Sequence, residues 1–282
     1  MRIGFNLLLW TTHVTEEHFP LFAQLRKVGY DGVEIPLFEG NEAHYREVGQ
    51  AVRDAGLAAT GVTVLPDEQH SAISASAAAR KGALDRIRWA VDCLHALGGE
   101  LLAGPFHQPL GVFSGEPPTP AEKDNLVKVH VAAADHAAAA GIALSVEPLN
   151  RFECYVLNTV ADAAAIVRRL DRPNYGLLYD SFHANIEEKD PVGVIGRHIA
   201  AINHVHVSEN DRGTPGRGHV PFAAIFKALK AGGYDGWLTI EAFGRALPAL
   251  AAATRVWRDF FPSREEVYTV GFKTVRSGWD KA

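Results

Sequence analysis

Two stretches far apart in the chain, "LRKVGYDGVEI" (Leu25–Ile35) and "LKAGGYDGWLTI" (Leu229–Ile240), carry nearly the same local instruction. Each is a helix end, a glycine cap, an Asp-Gly turn and a short apolar run. "RDAGLAATGV" and "AAAGIALSV" repeat the helix–glycine–strand step between them. Short runs rich in Val, Ile and Leu read as parallel strands buried on both faces. Eight are expected: Arg2–Leu9, Gly32–Ile35, Ala58–Val64, Glu100–Gly104, Ile142–Glu147, Tyr175–Asp180, Ala201–Val207 and Trp237–Glu241. Helices fit between them at Glu16–Val28, Glu42–Ala55, Ala75–Leu97, Pro120–Ala140, Val160–Leu170, Pro191–His198 and Pro221–Ala231, with an eighth near Ala246–Phe261. The tail from Pro262 reads as an extra C-terminal helix. Eight βα units in 282 residues match an α/β (β/α)8 TIM barrel, taken here as one domain over 1–282. An open doubly wound sheet favours a glycine-rich turn after the first strand. "LLLWTTH" has none.

Chemistry in such a barrel sits where strands end and βα loops begin. Strand five ends at Glu147 in "ALSVEP" and strand six at Asp180 in "GLLYDS". Strand seven ends near His206 in "NHVHVS" and strand eight at Glu241 in "LTIEAF". Three carboxylates converging in a barrel mouth repel one another, and a divalent cation relieves that. Two Glu, one Asp and one His make an oxygen-rich set suited to Mn²⁺, Mg²⁺ or Co²⁺. The loops beyond add Glu153, His183 and Arg212, which can reach a ligand. Each also has a plainer reading: Glu153 pairs with Arg151, His183 caps a helix, Arg212 is a solvated loop residue. Asn6 and Trp10 lie near the mouth on the first strand, and His107 follows strand four, so Asn6 and His107 join the candidate pocket. Glu34 is expected to add a hydrogen bond to the site or to be an ordinary strand-end charge. His204 is expected to point inward beside the metal ligand. His13, His18, His70 and His130 are expected on the surface. "GTPGRGH" reads as a flexible loop rather than a phosphate cradle.

The formal charge of −5 and the lack of a basic run argue against a protein that grips nucleic acid through its phosphates. "FNLLLW" is too short to span a bilayer and lacks a signal-peptide cleavage site. Cys93 and Cys154 have no motif spacing and read as small buried hydrophobes, and a cytoplasmic location is the default.

The motifs "GFNLLLWT", "VEPLNRFECYVLNT", "YDSFHANIEE" and "HVHVSENDRGTPGRGHVPFAAIFKALKAGGYDGWLTIEAF" make the chain similar to the sugar epimerases and isomerases of the xylose-isomerase-like TIM barrels. It most resembles the D-tagatose (D-psicose, L-ribulose) 3-epimerase group. That resemblance implies that Glu147, Asp180, His206 and Glu241 ligate a metal, usually manganese. It implies that Glu147 and Glu241 are the acid/base pair inverting C3 of a ketose through an enediolate. Glu153, His183 and Arg212 match residues that hold the O1–O3 end. A homo-oligomer, dimer or tetramer, is expected by the same analogy. "GPFHQPLG" at Gly104–Gly111 departs from the group near the far end of the sugar. The competing readings are an aldose–ketose isomerase, a polyol dehydratase, an endonuclease IV-like nuclease and a non-catalytic sugar-binding barrel.

Overall fold

The computed structural model describes residues 1–282. Eight parallel strands close into a barrel in chain order. They are β1 (Arg2–Asn6), β2 (Gly32–Pro36), β3 (Ala58–Val62), β4 (Leu101–Gly104), β5 (Ala143–Val146), β6 (Tyr175–Asp180), β7 (Ile202–Val207) and β8 (Trp237–Ile240). The helices are α1 (Phe19–Val28), α2 (Glu42–Asp54), α3 (Ala77–Leu97), α4 (Pro120–Ala139), α5 (Val160–Leu170), α6 (Ser181–Glu187), α7 (Gly193–His198), α8 (Phe222–Ala231), α9 (Pro248–Ala253) and α10 (Arg264–Lys281). No helix is long and apolar enough to cross a membrane.

The repeated "GYDG" junction works the same way twice. Gly29 and Gly233 both take positive φ, 123° and 76°, where a side chain is strained. The following tyrosines are buried, and their hydroxyls donate to Tyr268 O and Trp237 O. Asp31 accepts the Ile3 amide at 2.8 Å, locking β2 against β1. The main core, 64 buried residues, lies between the barrel and its helices. Inside the barrel, a small layer of Leu101, Ala103 and Leu178 gives way toward the mouth to polar side chains. Asn6, Glu34, Thr60, Ser145, His204, His206 and Thr239 are all buried. The register sets Asn6 beside Glu34, Glu34 beside Thr60, Asp180 beside His206, and His206 beside Thr239.

Several expected boundaries shift. β1 stops at Asn6 because its side chain accepts the Leu8 amide at 2.9 Å and starts a 3₁₀ turn, Leu7–Leu9. The β6–β7 connection holds α6 as well as α7. The long helix expected over Ala246–Phe261 is only α9, six residues starting at Pro248. Its Ala249, Leu250 and Ala253 line the cavity at the mouth. The C-terminal helix is present as α10 and packs on α1, α8, β1 and β8. His130 is buried, not on the surface. It sits on the inner face of α4, where its ring bonds Tyr175 Oη at 2.5 Å and the Phe106 carbonyl at 3.0 Å. Both cysteines are buried and free.

Candidate metal centre and cavity

The four strand-end residues meet. Glu147, Asp180, His206 and Glu241 each bring one ligand atom within 4.8 Å of all the others, and all four are buried. Glu147 and Glu241 stand one residue past β5 and β8, and their amides still bond the neighbouring strand at Gly104 O and Val207 O. Asp180 both ends β6 and caps α6. Its Oδ1 accepts the Phe182 amide at 2.5 Å and the His183 amide at 3.3 Å, leaving Oδ2 facing the site.

His206 is oriented from below. Its Nε2 bonds Glu34 Oε1 at 2.7 Å. Glu34 also takes His204 Nε2 at 2.8 Å, Asn6 Nδ2 at 2.9 Å and Thr60 Oγ1 at 3.2 Å. Four donors on one fully buried carboxylate make it an anion. Burial alone raises its pKa, but His206 and His204 outweigh that and hold it well below the usual range. Burial lowers the His206 pKa, but Glu34, Glu241 and Asp180 outweigh it and hold that pKa well above its usual value, so a metal ion would displace a proton here. Nε2 is committed to Glu34, and the nitrogen turned to the site is Nδ1. It is buried, has no hydrogen-bond partner, and lies 3.7 Å from Asp180 Oδ2 and 3.4 Å from Glu241 Oε1. An imidazole nitrogen beside three carboxylates is the donor set a divalent cation needs, with a carboxylate behind the histidine. The residues therefore fit a metal ion. Burial, with Glu241 and Asp180 nearby against the pull of His206, pushes Glu147 well up. Asp180 is held low: burial opposes this, but Arg212 and the histidines prevail.

Arg212 is buried rather than solvated. Its Nη1 donates to Glu241 Oε2 at 2.6 Å, Asp180 Oδ2 at 3.2 Å and Ser208 Oγ at 3.2 Å. Nη2 lies 2.9 Å from His183 Nε2. The guanidinium stacks over Phe182 and Phe243, 3.9 and 4.8 Å from their centroids, a cation–π seat. His183 takes the Asn150 amide on Nδ1 at 2.9 Å. Burial, with Arg212 alongside, pushes its pKa down to about 3, so it is a neutral imidazole. Glu153 does not pair with Arg151. It accepts from Asn150 Nδ2 at 2.8 Å, while Arg151 forks onto Glu187. Burial raises Glu153.

Glu147, Glu153, His183, Arg212 and Glu241 line one part of a cavity of about 260 Å³. The rest of the wall is mostly apolar, including Leu8, Phe38, Val64, Leu110 and Leu250. Asn6 lies beneath it, its Nδ2 bridging Glu34 and Glu241 at 2.9 and 3.1 Å. His107 is fully buried and is not among the lining residues. Neither of its ring nitrogens has a partner. Sequence reasoning missed Asn150, which orients both His183 and Glu153. The signal was the Asx turn in "NRFE", where Asn150 Oδ1 accepts the Phe152 amide at 3.0 Å. It also missed the apolar wall, since single leucines in loops carry no signature.

Residues 22–260 match the xylose isomerase-like TIM barrel family. A ketose 3-epimerase from Arthrobacter globiformis is 34% identical over 95% of this chain and 93% of its own. A probable ketose 3-epimerase from Synechocystis sp. is 32% identical over 98% and 96%. The crystal structure of a Methylomonas sp. D-allulose 3-epimerase in complex with D-allulose superposes with a TM-score of 0.91 at 27% identity, covering 98% of this chain and 96% of that one.

Proposed function

This chain belongs to the xylose-isomerase-like TIM-barrel family, in its ketose 3-epimerase group, and from that premise we propose that it inverts carbon 3 of free ketoses. The observation that carries the reading is the convergence of two buried glutamates with Asp180 and His206 at a cavity of sugar size.

The C3 proton of a ketose lies beside the C2 carbonyl, so its removal gives an enediolate. A divalent ion, Mn²⁺ with Co²⁺ or Mg²⁺ as substitutes, held by Glu147, Asp180, His206 and Glu241, supplies positive charge against the negative charge growing on the sugar oxygens. Glu147 and Glu241 come from the first and last of four consecutive strands. A carbon between them is reached from two faces. One carboxylate takes the C3 proton, and the other returns a proton to the opposite face. Arg212 and neutral His183 donate toward the O1–O3 end, and Glu153, held by Asn150, accepts from a sugar hydroxyl.

The test is the full chain with Mn²⁺ and a panel of free ketohexoses and ketopentoses in D₂O, read by NMR. The expected product is the C3 epimer carrying one deuterium at C3. Aldose products in its place mean isomerase chemistry, and no turnover of any ketose sinks the proposal.

A further inference from the structure

Glu209 is a fully buried carboxylate that forms no salt bridge, and the mechanism above does not use it. Its partners are three main-chain amides of one loop. Oε1 accepts from Asn210 N at 3.1 Å and Val220 N at 3.0 Å, and Oε2 accepts from Gly216 N at 2.8 Å. The stretch expected to be a flexible loop, Gly213–His219, is thus wrapped around one side chain. The packing leaves no slack. A Cβ on Gly218 would lie 2.0 Å from Asn210 Oδ1 and 2.5 Å from Glu209 Oε1.

Arg212 sits at the turn of this loop. Its amide bonds the Glu209 carbonyl at 3.0 Å, and its own carbonyl takes the Phe243 amide at 2.9 Å. Its φ is 63°, the left-handed region a non-glycine residue occupies only when its surroundings impose it. That backbone aims the guanidinium at Asp180, Glu241 and His183.

We propose that Glu209 is a positioning residue: its carboxylate folds the β7–α8 loop and so holds Arg212 in the left-handed conformation that presents its guanidinium to the cavity. The proposal rests on the reading of Arg212 as a substrate contact. Buried amides need acceptors, and a carboxylate meets all three with its two oxygens. An amide in its place offers one oxygen and turns an N–H₂ group against a backbone N–H.

Glu209→Gln tests this in the full-length protein loaded with Mn²⁺, with D-psicose and L-ribulose as probes. We expect Mn²⁺ affinity by calorimetry within threefold of wild type, KM raised at least tenfold, and amide exchange in residues 210–220 at least tenfold faster. In an Arg212→Ala background the same substitution should change KM less than twofold, since the group it positions is gone. Independent, multiplying effects in that cycle overturn the proposal. So does a lower Tm with KM unchanged. If Glu209→Gln does not fold, Gly218→Ala strains the same contacts from the loop side and enters the same cycle. If wild type turns over neither sugar nor any other ketose of the panel, the epimerase reading fails by itself. A crystal structure of Glu209→Gln then decides: Arg212 leaving Asp180 and Glu241 supports the proposal, and Arg212 unmoved refutes it.

Discussion

Replacing Glu34, which does not line the mouth cavity, should weaken metal binding. Glu34 Oε1 serves His206 and Asn6, and Oε2 serves His204 and Thr60. In Glu34→Gln, one of those pairs meets an N–H₂ group. If the amide nitrogen faces His206, the ring must accept on Nε2 and carry its proton on Nδ1, which is the ligand atom. If it faces His204, that ring switches tautomer, Thr60 rotates, and His206 keeps a neutral oxygen. The second arrangement costs less, so His206 stays aimed but loses its anionic partner. Losing the group behind a metal-ligating histidine typically costs 10–100-fold in affinity, or about 1.4–2.7 kcal/mol. Gln should fall at the low end of that range. Glu34→Ala leaves the Nε2–H of His206 without any partner and frees the ring to turn, so it should fall at the high end or beyond. Calorimetric titration of the metal-stripped proteins with Mn²⁺ at pH 7.5 measures both. Mn²⁺ affinity within twofold of wild type in folded Glu34→Ala would refute the inference that Glu34 sets the proton of His206.

Glu147→Gln and Glu241→Gln should each lower the epimerisation rate by about 10²–10⁴, the usual cost of an acid/base group, with deuterium washout at C3 showing which proton transfer is lost. A rate within threefold of wild type for either removes that residue from the pair. His107 is fully buried, and burial, with His130 beside it, pushes its pKa from 6.5 down to about 3. The unfolded chain therefore takes up a proton that the folded protein refuses, and stability is lost as pH falls below 6.5. His107→Met should flatten the stability–pH slope between pH 4.5 and 6 by about 1.4 kcal/mol per pH unit, measured by urea unfolding. An unchanged slope would mean that His107 is hydrated or paired. Gly29→Ala places a Cβ 2.7 Å from Phe272 Cζ at a φ of +123° and should cost about 1–3 kcal/mol, read as a lower Tm with the cavity chemistry intact.

The four ligand candidates were legible because a strand buried on both faces has no reason to end on a bare carboxylate. Glu147, Asp180 and Glu241 each follow an apolar run, and a one-residue error in a strand's end does not move them off the rim. The strands were legible for the same reason. The Ala246–Phe261 segment misled because "ALPALAAATRVW" has high helix propensity, yet its leucine and alanines are spent covering the mouth. His130 looked like any polar residue of α4. Only the packing of α4 against Phe106 and Tyr175 shows that its face is inward. Glu209 was illegible because its partners lie up to 11 residues on, in a glycine-rich stretch whose composition signals mobility. No local pattern marks an acid that binds its own loop.

The seam between β1 and β8 pairs Arg2 with Trp237 and Phe5 with Ile240, and α10 lies across it. Until synthesis has passed Trp237, β1 has only β2 beside it and its other edge stands bare. Ring closure is therefore the longest-range event in the assembly of this molecule, of the kind that slows folding. A chain that ends before Trp237 leaves that edge unpaired, a template for aggregation.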